Sequence, residues 1–550
     1  MSKDLKFAKP ALILLLTAIA IAASLKLGLV LANRVPFNSD QAIVGLMARH
    51  ILNGERPIFF YGQAYMGSLD AWLVAAGFRI FGEAAWVINL VQGLLYGGTI
   101  FTTAWIGWKI FEDARIGLVA AWLLAMPTVN VTLYTTISGY GEALLLGNLM
   151  LLTALKIGRQ LRSFRLPARY LWLLLGFIFG LGFWLLGLTI VYAVPVCIYL
   201  ILTLYRYYRT GIDHQHLWRK YAISLAAVFS GAIMGSFPWW VYAFEHGFGQ
   251  LISELSGGAS TGLPLPAQIG QHLLNLVVLG STVIFGFRPP WTLVWLGLPL
   301  APFVIAFWVA VLVWTAKAFR LKDDRKPEKF ILLGIMLTLA IAFVISPFGG
   351  DPSGRYFLPF AVPLALFAGD LIIGMKIRYG NLALGLVALI VVHNLWGTVE
   401  GIQSFPKGIT TRFDVVTQIN QRTIHDLISF LEQQGEARGY TNYWVSYPLA
   451  FLSKEELIFI PRLPYHSDFS YTTRDDRYIP YDPLVASSPR VAYLTTNFPD
   501  LDTYLRDRFM ALDVHWEEAQ IGDFHVFYNL SSRVEPGEIG LGFDNPPVIH

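Results

Sequence analysis

Charge is what this chain of 550 residues has least of. Asp, Glu, Lys and Arg make up 14% of it, where a soluble globular chain carries roughly a quarter. That deficit, spread over long apolar runs, excludes an ordinary soluble domain and points to a membrane. Cysteine is nearly absent too. The single thiol, Cys197, lies in an apolar run, which excludes a disulfide framework and a thiolate metal site. No Walker loop and no strand–GxGxxG–helix unit is present, which argues against a nucleotide donor on the inner side. There is no His-x-x-x-His pair and no dense acidic cluster of the kind a dedicated metal cage needs. Repeats and low-complexity stretches are also missing. The net charge of +4 carries no nucleic-acid signature.

What the chain has is apolar sequence. It is 55% hydrophobic, with a mean hydropathy of +0.52. Its 17 Trp and 25 Tyr suit two interfacial belts. A bilayer span needs about 20 mostly apolar residues. That rule predicts a polytopic α-helical membrane protein of about 11 helices, near 11–32, 84–108, 115–134, 142–156, 170–187, 189–205, 221–242, 291–316, 330–346, 356–375 and 381–397. The first run follows Lys3, Lys6 and Lys9 and exceeds the roughly 7–15 apolar residues of a cleaved signal, so it reads as a retained span. The amphipathic segments 68–82 and 268–286 read as short interfacial or re-entrant helices.

Basic residues set the expected orientation. Lys156, Arg159, Arg162, Arg165 and Arg169 fall in one loop. Arg206, Arg209, Arg219 and Lys220 fall in another, and Lys317, Arg320, Lys322, Arg325, Lys326 and Lys329 in a third. Lys376 and Arg378 follow. These loops alternate and share a side with the N-terminus, which makes that side cytoplasmic. The opposite loops carry few cations, apart from the first, 33–67, with Arg34, Arg49 and Arg56. From about residue 400 charge rises and short alternating segments appear. A transmembrane domain over 1–399 is therefore expected, followed by an extracytoplasmic α/β domain over 400–550. That domain would have helices at 414–434 and 498–511 and strands at 439–447, 456–460, 490–496 and 523–529.

Four outer segments carry candidate chemistry. In Asn38-Ser39-Asp40-Gln41, Asp40 reads either as a helix cap or as a carboxylate mounted at a helix start to take a proton from an acceptor. Tyr61-Gly-Gln63-Ala-Tyr65-Met-Gly-Ser-Leu-Asp70 offers stacking and hydrogen bonding to sugar hydroxyls, or an aromatic belt with glycine turns. Tyr140-Gly-Glu142 puts an ionisable group at a helix entrance, either functional or a favourable charge at a helix N-terminus. Arg355-Tyr356, after Gly349-Gly-Asp351-Pro-Ser-Gly, could hold a phosphate bidentately or pair with Asp351 or lipid headgroups. Arg288 is a weaker phosphate candidate. Asp40, Asp70 and Glu142 could share a divalent cation, the one cofactor the residues allow.

The first-loop acid, the Asn-Ser-Asp-Gln entry and Arg355-Tyr-Phe-Leu-Pro359 resemble the GT-C class of membrane glycosyltransferases. Within it they are most similar to the polyprenyl-phosphate-sugar-dependent group, which includes protein O-mannosyltransferases, aminoarabinose transferases and Rgt-like enzymes. The resemblance covers roughly residues 1–400. It implies Asp40 as general base or acceptor-positioning group, Glu142 as supporting acid, and Arg355 on the donor phosphate. Polyprenyl phosphate would leave and the anomeric centre would invert. The partners implied are a polyprenyl-phosphate-linked sugar, a glycan, lipid or protein acceptor, and the bilayer. Asp40-Gln41 replaces the Asp-Glu of protein O-mannosyltransferases, and Glu142 stands where Asp is common elsewhere, so the acceptor class stays open. A polysaccharide polymerase or ligase, a lipid-sugar transporter and a noncatalytic glycan sensor are the competing readings. The expected convergence of Asp40, Glu142 and Arg355 at the outer leaflet separates the enzyme from them.

Overall fold

The computed structural model describes residues 9–35, 37–137, 139–209, 214–249, 251, 265–290, 292–320, 326–403, 416 and 418–543. Lys3, Lys6, Lys322, Arg325 and the start of the helix expected at 414–434 lie outside the described residues. In chain order the elements are α1 (Lys9–Leu31), α2 (Ser39–Leu52), β1 (Phe59–Phe60), β2 (Gln63–Gly67), α3 (Leu69–Phe81), α4 (Ala85–Phe111), α5 (Ala114–Ala125), α6 (Val129–Tyr134), α7 (Gly141–Arg162), α8 (Arg169–Leu185), α9 (Ile190–Arg209), α10 (His214–Gly235), α11 (Phe237–His246) and α12 (Leu265–Leu274). Then follow α13 (Ala301–Arg320), α14 (Lys326–Ile345), α15 (Ala361–Tyr379), α16 (Leu384–Gln403), α17 (Ile424–Gln434), β3 (Arg438–Thr441), α18 (Tyr443–Leu452), β4 (Ile458–Pro461), α19 (Tyr481–Ala486), β5 (Ala492–Thr496), α20 (Pro499–Ala511), β6 (Glu517–Ile521) and β7 (Phe524–Tyr528).

Each of the expected spans overlaps helix. Among the described residues nine helices are long and apolar enough to cross a membrane, or ten if the pair Tyr221–Gly235 and Phe237–His246, bent by 65°, is one span. This revises the expected eleven. At 12 and 17 residues, α5 and α8 are shorter than a full span. Conversely, Pro266–Ile284 reaches span length, where only an interfacial or re-entrant piece was expected. His272 Nδ1 lies 3.0 Å from the Val344 carbonyl, and Asn275 Nδ2 donates to Gly349 O at 2.8 Å. The Arg288 guanidinium donates to Pro352 O at 3.2 Å. The segment is thus tied to the end of α14 and the turn that follows it.

Two compact units make up the chain. The first contains Met1–Gly28, Tyr65–Gly67 and Asn89–Ile402; the second contains Leu29–Ala64, Ser68–Ile88 and Gln403–His550. In the first unit α8 and α10 meet backbone to backbone. A Cβ at Gly176 or Gly180 would run into the carbonyls of Val228 and Ala232, and one at Gly231 or Gly235 into those of Leu173 and Phe177. Both helices thus carry a Gly-x-x-x-Gly face, the small-residue pattern that lets helices approach closely where no hydrophobic effect drives them together.

The second unit is built around a five-stranded sheet of order β4-β3-β5-β7-β6. β3 runs parallel to β4 and β5, while β7 is antiparallel to β5 and β6. Leu427 and Leu431 of α17 pack with Phe459, Leu494, Phe524 and Val526 in its core. The strand expected over 439–447 ends at Thr441. The Asn442 side chain accepts from Trp444 N at 3.0 Å and starts α18 instead, a cap overriding the β-rich run Tyr-Trp-Val. β6 was not anticipated: Glu517–Ile521 is a polar, mostly exposed edge strand without the alternation that marks a buried face. Every residue of α2 is buried except Asp40 and Leu52, so α2 is a core helix.

Candidate active site

The side chains expected to do chemistry divide between the units. Asp40, Tyr61, Gln63 and Asp70 belong to the second. Tyr65, Tyr140, Glu142, Arg288, Arg355 and Tyr356 belong to the first.

In the second unit Asn38, not Asp40, caps α2: its side chain accepts from Gln41 N at 3.1 Å. Asp40 is thereby released from capping and stays half-exposed in the first turn. Its Oδ1 accepts a hydrogen bond from Tyr443 Oη at 2.6 Å. Ser39 Oγ donates to the carbonyl of the same tyrosine at 2.5 Å. The Arg477 guanidinium lies 5.3 Å from the Tyr443 ring centre. Burial, helped by the Asp40 charge, raises the Tyr443 phenol pKa, so it is a donor only. Asp475, buried nearby, is pushed up to about 7 by burial, with Arg477 and Tyr465 opposing and Asp40 adding to the rise.

The far end of α2 is tied by a second network. Glu455 accepts from Arg49 Nη1 at 2.9 Å and from Tyr481 Oη at 2.7 Å, with His50 Nε2 at 2.9 Å. Arg49 also pairs with Glu83 and donates to Phe451 O at 2.8 Å. Burial alone would raise the Glu455 carboxyl, but the bonds from His50, Tyr481 and Arg49 outweigh it and hold it at about 2. Tyr61 is committed here: its hydroxyl donates to Glu55 at 2.8 Å and meets His50 Nδ1 at 2.9 Å. Its ring lies 4.7 Å from that of Tyr478. Asp70 is buried in the first turn of α3, and Gln63 is half-buried on β2.

In the first unit Arg355 follows Gly354, whose φ of +108° turns the chain into the late helix. Arg355 pairs with Asp351 at 2.6 Å, and its guanidinium lies 4.9 Å from the Tyr356 ring centre. Asp351 Oδ1 also accepts from Ser353 N at 2.8 Å, and Ser353 Oγ accepts from Tyr134 Oη at 3.1 Å. Tyr134 and Tyr140 stack edge to face, 5.5 Å apart. Tyr65 interacts electrostatically with Tyr140 and Tyr356. Arg355 Nε is buried with no acceptor among the described residues. Glu142 sits in the first turn of α7, 2% exposed, and accepts from Gln92 Nε2 at 3.3 Å. Arg288 is spent on backbone: it donates to the carbonyls of Leu279, Thr292 and Pro352 and to Thr282 Oγ1. Among the described residues no three His, Cys, Asp or Glu side chains gather as metal ligands would.

Sequence reading missed Tyr443, Arg477, Asp475 and the Glu455 network, all remote in sequence from α2. It also missed Lys26, an amine within α1, which a search for ionisable groups inside an apolar run would have found. Lys26 Nζ donates to Thr132 O at 3.1 Å, Thr135 Oγ1 at 2.6 Å and Thr136 Oγ1 at 3.0 Å, and lies 4.5 Å from the Tyr96 ring centre. These contacts tie α1 to the C-terminal end of α6.

No protein-family model matches the chain, and no curated protein matches it. Solved structures do. ArnT from Cupriavidus metallidurans, bound to undecaprenyl phosphate, superposes with a TM-score of 0.58 at 13% identity, over 96% of this chain and 99% of that one. The oligosaccharyltransferase of Archaeoglobus fulgidus in its apo form gives 0.53 at 13% identity, over 95% of this chain and 75% of that one. The same archaeal enzyme, AglB, in complex with an inhibitory peptide and a dolichol-phosphate, gives 0.51 at 14% identity, over 95% and 74%. Over nearly its whole length this chain therefore shares the fold of ArnT and of the archaeal oligosaccharyltransferase AglB.

Proposed function

We propose that the protein is a membrane glycosyltransferase that moves a sugar from a polyprenyl-phosphate donor to an acceptor on the extracytoplasmic face. An acceptor oxygen attacks the anomeric carbon as the bond to the phosphate oxygen breaks. The electron pair leaves with polyprenyl phosphate, and the acceptor proton passes to Asp40. Attack opposite the phosphate inverts the anomeric centre. Arg355 meets the charge that develops on the leaving phosphate, where a guanidinium contributes most. Tyr65, Tyr140 and Tyr356 offer rings and hydroxyls to the donor headgroup. Glu142, sealed beside Gln92, is the supporting acid. Arg288 is assigned to holding the 279–292 turn.

The observation that carries the reading is the Arg355 Nε. A buried guanidinium N–H without an acceptor is costly, and an anionic oxygen is the partner such a donor takes. The likeness to structures holding undecaprenyl phosphate and dolichol-phosphate supports the donor class. The test is to incubate membranes with radiolabelled polyprenyl-phosphate hexoses and to follow label into protein, lipid and polysaccharide fractions. Asp40→Asn is expected to abolish transfer while the donor still binds. Arg355→Met is expected to lower transfer by roughly 100-fold or more, the scale of one lost transition-state donor. Full transfer by Asp40→Asn would end its role as base. Donor binding without transfer by the wild type would favour the sensor.

A further inference from the structure

The observations around α2 give the C-terminal domain a part in the chemistry. Asp40 is the one residue at the start of α2 that keeps solvent exposure in an otherwise buried helix. Of its two carboxylate oxygens, Oδ1 is taken by Tyr443 Oη. Tyr443 has no freedom of its own. It is fully packed at the first position of α18, next to Asn442, whose side chain caps that helix and donates to Thr496 Oγ1 on β5 at 2.9 Å. Its carbonyl is held by Ser39 Oγ, and the Arg477 guanidinium lies against its ring. Arg477 N in turn donates to Tyr447 Oη at 2.5 Å. The phenol is therefore mounted on the sheet of the tail and reaches a residue 403 positions earlier.

We propose that Tyr443 is a positioning residue for Asp40: its hydroxyl locks one carboxylate oxygen so that the other faces the acceptor proton. This rests on the reading of Asp40 as the base. The charged and titratable groups that face the pair from the tail are Arg477, Asp475 and Tyr447; α3, also packed against α2, carries Asp70 and Arg79.

Tyr443→Phe removes one oxygen and keeps the ring. Transfer from the labelled lipid donor is measured for wild type, Asp40→Asn, Tyr443→Phe and the double variant, with Tyr504→Phe, which removes a hydroxyl bound to Ile539 O elsewhere in the tail, as a packing control. Tyr443→Phe is expected to lower kcat about tenfold with KM for the donor unchanged. On the residual transfer of the Asp40→Asn background it is expected to cost nothing further, because both act through one carboxylate. A rise in KM with kcat unchanged, an equal loss in Tyr504→Phe, or a loss that multiplies that of Asp40→Asn, overturns the proposal and leaves the base assignment intact. Full transfer by Asp40→Asn overturns the base assignment itself, and the proposal with it.

Discussion

Glu455→Gln tests how firmly the Asp40-bearing helix is held. The carboxylate collects three donors, from Arg49, His50 and Tyr481, and they hold it at about 2 against an ordinary 4.5. At about 1.4 kcal/mol per pH unit this corresponds to about 3 kcal/mol. The folded value lies below the unfolded one, so the stabilisation is complete above about pH 4.5 and is lost as pH falls toward 2. At pH 7 the substitution should therefore show its full effect. It also leaves Arg49 buried with Glu83 as its one carboxylate partner, a costly change for a buried charge. Gln retains one acceptor, so the loss is expected between about 1.5 and 3 kcal/mol, or roughly ten- to a hundredfold in the local opening equilibrium. Hydrogen–deuterium exchange of peptides covering 39–52 and 443–481 reads this directly. Both should exchange faster by that factor, while peptides from α8 and α10 should not change. Unchanged exchange in 39–52 at pH 7 would refute the reasoning, because it would mean that the three bonds contribute nothing net.

Asp475 has the opposite sign. Its folded value near 7 lies above the unfolded 3.8, so the stability it contributes is full below about pH 3.8 and falls as pH rises to about 7. Asp475→Asn should stabilise the tail at pH 8, by up to about 4 kcal/mol, and flatten the fall in thermal midpoint between pH 5 and 8; an identical pH dependence in the variant would contradict this. In the membrane part, Gly180→Ala should destabilise by roughly 1–3 kcal/mol through overpacking against the Ala232 carbonyl, read as a lower thermal midpoint in detergent. Gly187→Ala, with open space around it, is the control that should leave the midpoint unchanged.

The helical spans were legible because a bilayer leaves little choice. A run of some 20 apolar residues must satisfy its backbone internally, and the helix does so locally. That is why segments such as 11–32 and 189–205 reappear within a few residues as α1 and α9. Where local signals competed, the reading slipped. Tyr-Trp-Val after Asn442 looked like continuing strand until the asparagine cap diverted it, and the 268–286 segment, expected as a short piece, has the length of a span. The candidate site was legible as residue types, not as partners. Asp40 stood out by its entry motif, but nothing in the sequence distinguished it from Asn38 as the cap. Arg355 stood out as a rare outer cation, and its pairing with Asp351 was one of two readings. Arg288 was the weaker candidate, and its four oxygen partners are visible only in the fold.

The sequence alone determined that the chain crosses a membrane, roughly where it does so, and that a small sheet region follows toward the C-terminus, because each of these depends on hydrophobicity and charge read over one short window; that 29–64 and 68–88 join residues 403–550 in one compact unit was decided by packing. The partners of each polar group were decided by tertiary structure. Tyr443 against Asp40, Glu455 beneath Arg49 and His50, and Lys26 among three threonines each join residues about a hundred to four hundred positions apart. Such pairs form because a buried polar group must find a partner or cost several kcal/mol, and which partner it finds depends on how the helices and the sheet pack.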